Sequence, residues 1–252
     1  MELELWVFAA LTAVCVVSGF IDAVAGGGGL LTMPALLSAG LPPHLALGTN
    51  KLQSLAGVTM AMRTYHRKGL LEIRPNITAV ICILIASAAG ALAVQMLDTK
   101  ILNLIVPVLL VLCAAYVIFS PRMDDSDRHH VLTRKGYNPV AGGIGFYDGF
   151  FGPGAGSFYT TSLVALRGMG LTRATALSKL FNMTSNVGSL AMFIAGGKVF
   201  WTLGLCMCVG TVVGSWVGSH SAIRFGAKLI RPLLVTISLA LTARLIWTYF
   251  TG

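Results

Sequence analysis

An apolar segment that ends in an aspartate and then in several glycines occurs twice in this chain. The first copy spans residues 19–29, with Asp22 followed by Gly26, Gly27, Gly28 and Gly29. The second spans residues 145–157, with Asp148 followed by Gly152, Gly154, Gly156 and Ser157. Glycines at the end of an apolar run are typical of a helix that breaks inside a membrane and leaves backbone groups open to a ligand.

The composition places these breaks in a membrane protein. Hydrophobic residues make up 56 % of the chain and charged residues only 11 %, which is too little charge to cover the surface of a soluble domain. The apolar runs are mostly about 20 residues long, the length of a transmembrane helix rather than of a barrel strand. We therefore predict an all-α integral membrane protein in the lipid bilayer, with its first run retained as a helix and no role in nucleic-acid binding.

The second half of the chain repeats the first in one register. The Gly-Phe-x-Asp motifs lie 126 residues apart, and an offset of 128 then pairs residues 40–52 with residues 168–180. A register shared over a whole half indicates an internal duplication. We predict a first membrane repeat over residues 1–120, a hydrophilic linker over 121–138 and a second membrane repeat over 139–252. The mixed charges of the linker indicate a solvated loop rather than a metal site.

Each repeat contains a short broken or re-entrant helix. Residues 26–40 cover roughly 20 Å as a helix, whereas the hydrocarbon core is about 30 Å thick. If the short pieces count as segments, each repeat has five, and the odd number inverts the second copy. Thirteen of the 18 basic residues then lie in loops on one side, namely Arg63, Arg67, Lys68, Arg74, Arg122, Arg128, Arg134, Lys135, Arg167, Arg173, Arg224, Lys228 and Arg231.

Such a bias favours ten segments in two inverted repeats, with both termini outside. If each short piece instead dips in and returns, each half has four spans and the two copies are parallel. The predicted number of membrane segments is therefore eight to ten.

Two of the nine acidic residues, Asp22 and Asp148, lie in apolar surroundings at matching places in the repeats. An ionised carboxylate at the membrane centre costs about 2.5 to 3.5 kcal/mol on insertion scales, so such a residue is a functional candidate. One interpretation is that each aspartate caps the broken helix nearby. The other is that each takes up a proton during transport.

Lys51 and Lys179 form a second matching pair, each within a polar patch of an apolar run. Residues four apart share a helix face, so amides and hydroxyls line up beside each lysine, where an ammonium group can meet an anion. A lysine that snorkels to the membrane surface is the alternative. The predicted substrate site combines these lysines with Asn50, Gln53, Ser54, Asn182, Ser185 and Asn186.

The glycines and Ser157 of the two breaks complete the predicted substrate site. Loops without side chains let backbone N–H groups approach a ligand, and the N-terminal dipole of the short helix that follows favours negative charge. Close packing of helices is the alternative explanation of these glycines. The chain has no P-loop, hydrolytic triad or metal motif, so we expect no catalytic residue, no bound metal and no cofactor.

These motifs resemble the TauE/SafE family of sulfite-exporter-like membrane permeases. The resemblance rests on the repeated Gly-Phe-x-Asp and on residues 25–36, 48–52 and 151–158, and it extends over nearly the whole chain. It implies a transporter of the bacterial inner membrane that moves sulfite, sulfonates or related organosulfur anions, typically outward. The second copy has Gly-Pro-Gly-Ala-Gly in place of the four glycines and no proline that matches Pro34, so the halves are not equivalent.

The residues alone predict a secondary transporter that binds a small anion between its two repeats. An anion channel and a non-transporting membrane scaffold are the alternatives, and an enzyme is the least favoured. The sequence leaves open the identity of the anion, the coupling ion, the direction of transport and whether the protein is a homo-oligomer.

Overall fold

The computed structural model describes residues 4–119, 125–126 and 131–225; the last predicted segment, within residues 226–252, and most of the linker lie outside these ranges. All regular structure in the described ranges is helical, which confirms the predicted fold class. The helices are α1 (Leu5–Ala25), α2 (Gly29–Ser38), α3 (Pro43–Arg67), α4 (Ile77–Gln95), α5 (Thr99–Phe119), α6 (Asn138–Phe150), α7 (Ala155–Arg167), α8 (Leu171–Ala195) and α9 (Trp201–Phe225), with a 3-10 turn at Arg74–Asn76.

Helix length separates the elements into long and short. By length and composition α1, α4 with its preceding 3-10 turn, and α9 are able to cross a membrane. Helices α3 and α8 have 25 residues each but are more polar. Helices α2 and α7, with 10 and 13 residues, are too short to cross the hydrocarbon core and form the short pieces predicted at the two breaks.

Glycines in the left-handed region lie at both breaks. Helix α1 stops at Gly26, which has a φ of 82°. In the second half Gly152 has a φ of 102° and Gly154, which precedes α7, a φ of 84°. Residues with a Cβ rarely adopt this conformation, so Gly26 fixes where α1 stops and Gly154 fixes where α7 starts.

The first helix of each half packs against the fourth helix of the other half. Helix α1 contacts α9, and α6 contacts α4. A Cβ added at Gly19 would lie 2.5 Å from the carbonyl oxygen of Thr211, and one added at Gly145 would lie 3.2 Å from that of Ile83. These two contacts correspond under the repeat register, and small residues at both let the helix backbones approach closely.

Helices α3 and α8 lie side by side with opposite directions. Gly48, near the start of α3, packs against the carbonyl of Lys198, which follows the end of α8. At the opposite end of the bundle, residues 69–72 after α3 share a cleft with Arg173 and Leu177 near the start of α8. This is the arrangement expected of two inverted halves; the inverted repeat stays a prediction for the whole chain, since residues 226–252 are not described.

Candidate functional site

Each predicted lysine forms an ion pair with the predicted aspartate of the opposite half. Lys51 of α3 donates through Nζ to the backbone carbonyl of Asp148 and to its Oδ1, which is 2.5 Å away. Lys179 of α8 donates to the backbone carbonyl of Asp22, and its Nζ lies 3.8 Å from Oδ2 of that residue. The two candidate pairs of the sequence are therefore one arrangement, in which α3 and α8 each reach across to the broken helix of the other repeat.

The Lys51–Asp148 pair is sealed from solvent. Both side chains are 2 % exposed. The second carboxylate oxygen of Asp148, Oδ2, accepts a hydrogen bond from Ser185 of α8. Gly152 packs against the ammonium group, since a Cβ added there would lie 2.8 Å from Lys51 Nζ. A glycine at this position of the second break thus makes room for the lysine.

The Lys179–Asp22 pair has a more open aspartate. The Lys179 side chain is fully buried, whereas that of Asp22 is 22 % exposed. Asp22 Oδ1 accepts a hydrogen bond of 3.3 Å from the backbone N–H of Gly28. Asp22 therefore contacts the glycine loop as the capping interpretation expects, while Asp148 binds Lys51 and Ser185 instead.

The two glycine breaks pack directly against each other. A Cβ added at Gly26 would lie 2.4 Å from the carbonyl carbon of Gly156. Ser157 donates through its backbone N–H to the carbonyl of Gly26 at 3.2 Å and through Oγ to that of Ala25 at 2.8 Å. Gly29 faces Pro153 across the same contact, with an added Cβ 3.1 Å from the Pro153 Cα. The breaks of the two halves thus form one junction beside the ion pairs.

Hydrogen bonds from the short helices hold the polar patches of α3 and α8. Thr32 of α2 donates to Asn50 Oδ1 at 2.6 Å, and Thr160 of α7 donates to Ser178 Oγ at 3.0 Å. Both partners are related by the offset of 128 residues, so the same bond occurs in each half. It fixes the turn of each long helix from which the paired lysine projects.

The other predicted polar residues lie on the same two helices. Gln53 donates through Nε2 to Asn50 Oδ1 at 2.8 Å and to Ser54 Oγ at 3.0 Å. Asn186 donates to Asn182 Oδ1 at 2.8 Å. These amides form short networks within α3 and α8 rather than bonds to the ion pairs. Whether they contact a substrate stays a prediction.

Comparison with known proteins decides the family. The family model described as sulfite exporter TauE/SafE matches residues 11–245. The chain belongs to the TauE/SafE family. The resemblance drawn from the glycine motifs is thereby confirmed, and the cross-paired lysines and aspartates are features of a TauE/SafE protein.

Relatives of this TauE/SafE protein are named as membrane transporters. The probable membrane transporter protein YfcA of Escherichia coli strain K12 is 42 % identical over 235 residues, which are 93 % of this chain and 87 % of the relative. A probable membrane transporter protein of Haemophilus influenzae strain Rd is 39 % identical over 248 residues, 98 % of this chain and 97 % of its own. ORF9 of a Sinorhizobium species, also a probable membrane transporter protein, is 41 % identical over 246 residues, 97 % of this chain and 94 % of its own. No solved structure matches the chain significantly.

These findings make this TauE/SafE protein a membrane transporter. Among the residues described, no three histidine, cysteine, aspartate or glutamate side chains are grouped to hold a metal ion. The chemistry available at the junction is that of two ammonium groups, two carboxylates, hydroxyls and backbone amides. Ammonium groups attract anions, and carboxylates accept protons.

Three buried aromatic residues beside this site were not predicted from the sequence. Tyr137 stacks on Phe181 with ring centroids 6.2 Å apart, and Tyr159 lies 5.6 Å from the same ring. Each of the three is fully buried. Aromatic residues are common in apolar runs, so composition gave no reason to single them out.

Proposed function

We propose that this TauE/SafE protein is a proton-coupled secondary transporter that exports small sulfur-containing anions. Its substrates are sulfite or organosulfonates, and it works as a multi-pass protein of the bacterial inner membrane. The observation that carries the proposal is the two ion pairs between the halves, Lys51 with Asp148 and Lys179 with Asp22, which lie at the junction of the two breaks. The family description, sulfite exporter, supports the class of anion and the outward direction.

Charge balance explains why a proton and an anion share this site. Each lysine already has a carboxylate partner, so a substrate anion must compete with Asp148 or Asp22 for the ammonium group. Protonation of the aspartate removes its negative charge and leaves the lysine for the anion. Release of the anion and the proton on the other side restores the ion pair. The proton and the anion then travel in the same direction.

Several other ionisable groups lie near these aspartates. Lys51 faces Asp148, and Tyr159 of α7 and Tyr147 of α6 interact with its charge. Lys179 faces Asp22, and the Tyr65 hydroxyl of α3 donates to the carbonyl of the neighbouring Ala23 at 3.1 Å.

The two breaks contact each other through Gly26 and Ser157, so both ion pairs lie beside one junction. This contact supports alternation between two states of a single site rather than two independent sites. Movement of α3 and α8 against the breaks would expose the junction to either side.

The proposal is tested by efflux of radiolabelled sulfite from proteoliposomes, compared with empty liposomes. We expect saturable efflux that accelerates when the lumen is more acidic than the outside, because proton and anion leave together. Lys51→Ala combined with Lys179→Ala should abolish it. Lys100→Ala combined with Lys198→Ala is the matched control, since both lysines are exposed and one lies in each half.

Each outcome of the efflux assay bears on one part of the proposal. Loss of efflux in the site variant, with retention in the control, supports anion transport at the junction. Efflux that does not saturate and shows no exchange of labelled for unlabelled anion would indicate a channel. Efflux no faster than from empty liposomes would remove sulfite as a substrate, and organosulfonates would then be tested in the same way.

A further inference from the structure

A second group of basic side chains lies in a cleft at one end of the bundle, away from the paired lysines. The cleft has a volume of about 340 Å³. The first half contributes residues 69–72 and Asn76, the linker contributes Arg134, and the second half contributes Arg167, Arg173 and nearby residues through Leu177. Both halves and the linker thus meet at this cleft.

The charge of the cleft is suited to an anion. Three arginines line it, Arg134, Arg167 and Arg173, and Glu72 is its only acidic lining residue among the parts of the chain described. Burial and the nearby positive charge of Arg134 lower the pKa of the guanidinium of Arg167, the last residue of α7. Two guanidinium groups that line one cleft repel each other, and an anion between them would relieve that repulsion.

Hydrogen bonds join the described linker residues to the region where α7 ends and α8 begins. The N–H groups of Val131 and Leu132 donate to the carbonyl of Leu166 at 3.1 and 2.8 Å. The N–H of Thr172 donates to Asp125 Oδ1 at 2.7 Å. Arg134 therefore follows a short segment, residues 131–132, that is bonded to the end of α7.

A row of side chains on α8 runs from this cleft to the buried ion pair. Arg173 and Leu177 line the cleft, and Ser185 donates to Asp148. These residues, with Phe181 between them, follow a four-residue spacing, so successive members lie on adjacent turns and the row winds about 120° around the helix from Arg173 to Ser185. At 1.5 Å per residue the distance along the helix from Arg173 to Ser185 is roughly 18 Å.

Phe181 lies in this row between the cleft and the ion pair. It is fully buried and contacts the rings of Tyr137 and Tyr159. Tyr137 in turn bonds Ser162 at 2.6 Å. The three rings fill the space beside α8 between Leu177 and Ser185.

We propose that the arginine-lined cleft is an entry site that binds the oxyanion before it passes Phe181 to reach Lys51 and Lys179. This inference rests on the proposed function. Guanidinium groups bind the oxygens of a sulfite or sulfonate through paired hydrogen bonds. The phosphate of an anionic lipid headgroup offers the same chemistry, so the experiment has to separate the two sources.

Binding of radiolabelled sulfite to purified protein in lipid-free detergent is the first measurement. Arg134→Gln combined with Arg167→Gln should remove one binding component and leave the component that depends on Lys51 and Lys179. Lys135→Gln is the matched control, because this lysine neighbours Arg134 and is exposed but does not line the cleft. Identical binding by the arginine variant and wild type would overturn the proposal.

Transport kinetics in zwitterionic phosphatidylcholine provide the second measurement. We expect the arginine variant to raise the KM for sulfite about 3- to 10-fold for the two charges removed, with the maximal rate nearly unchanged. An unchanged KM would contradict an entry site.

Phosphatidylglycerol added to the liposomes shows whether the cleft binds the dissolved oxyanion or the phosphate of an anionic lipid headgroup. A cleft that takes dissolved oxyanion keeps the KM difference between wild type and variant in both lipid mixtures. A difference seen only with phosphatidylglycerol, together with unchanged sulfite binding in detergent, would assign the cleft to a lipid headgroup and overturn the proposal.

The two assays distinguish failure of this inference from failure of the proposed function. Sulfite binding that depends on the arginines, without any sulfite transport, would leave the cleft as an anion site and refute transport of sulfite. Transport that depends on the two lysines but not on the arginines would leave the transporter intact and refute the entry site.

Discussion

Lys51 and Asp148 come from opposite halves of the chain and form an ion pair with 2.5 Å between Nζ and Oδ1. Their repeat counterparts, Lys179 and Asp22, lie 3.8 Å apart at the closest charged atoms. The two pairs are equivalent in sequence but differ in distance and in exposure of the aspartate. This difference, together with the junction of glycines beside it, determines how much each substitution at these positions should destabilise the protein.

Replacement of Asp148 by Asn should destabilise the protein strongly. Lys51 would be left buried without a countercharge, and removal of one partner of a buried pair costs about 3 to 5 kcal/mol. Chemical unfolding in detergent measures the change in the free energy of unfolding. Lys51→Met combined with Asp148→Leu removes both charges and should recover most of the loss. A double variant as unstable as Asp148→Asn would show that the charge pair is not the cause.

Replacement of Asp22 by Asn should cost less, about 1 to 2 kcal/mol. The Asp22 side chain is 22 % exposed, and its carboxylate is 3.8 Å from Lys179, so water already screens part of the interaction. Lys179 also keeps its hydrogen bond to the Asp22 backbone carbonyl, which the substitution does not remove. The same unfolding assay ranks the two variants. Equal losses for Asp22→Asn and Asp148→Asn would contradict the asymmetry between the pairs.

Gly26→Ala should be far more harmful than Gly40→Ala, although the two glycines have nearly the same backbone conformation. Their φ angles are +82° and +85°, so each substitution carries a similar backbone strain of about 1 to 2 kcal/mol. A Cβ at Gly26 would also overlap Gly156, whereas one at Gly40 has no atom within 4 Å. We therefore expect an additional loss of about 1 to 3 kcal/mol in Gly26→Ala.

Thermal unfolding and the folded yield after detergent extraction measure both glycine variants side by side. Similar stability of the two would mean that the breaks of the two halves do not pack together as the structure describes.

The glycine breaks, the short helices and the polar residues of α3 and α8 were predictable from sequence. Glycines with positive φ end helices for a local reason, and the shared register fixed which residues correspond. The pairing of Lys51 with Asp148 was not predictable, because the residues are 97 positions apart and meet only through the packing of α3 against the second break. The sequence analysis therefore assigned the lysines to the substrate and the aspartates to protons separately.

The arginine-lined cleft was also not predictable from the sequence, because its residues come together only through packing. Arg134 was assigned to a solvated linker, and Arg167 and Arg173 to a basic loop. Their convergence depends on the backbone bonds that bring residues 131–132 onto Leu166. The distribution of basic residues among the predicted loops indicated that these arginines lie on the same side of the membrane. Only the packed chain shows that they share one cleft.

The central claim is that Asp22 and Asp148 bind the proton whose movement is coupled to movement of the anion. It is tested most directly by the pH dependence of sulfite flux in proteoliposomes for wild type, Asp148→Asn and Asp22→Asn. Sulfite itself takes up a proton near neutral pH, so its own titration affects all three proteins alike and only the difference between them reports on the aspartates. Asp22→Asn serves if Asp148→Asn fails to fold.

We predict that wild-type efflux rises as the pH in the lumen of the proteoliposomes falls, because protonation of the aspartate frees the lysine for the anion. In the Asn variants only the pH dependence caused by sulfite itself should remain, and a pH gradient should no longer accelerate efflux as it does in wild type. Folded Asn variants with the pH profile of wild type would contradict the account and leave the aspartates a purely structural role.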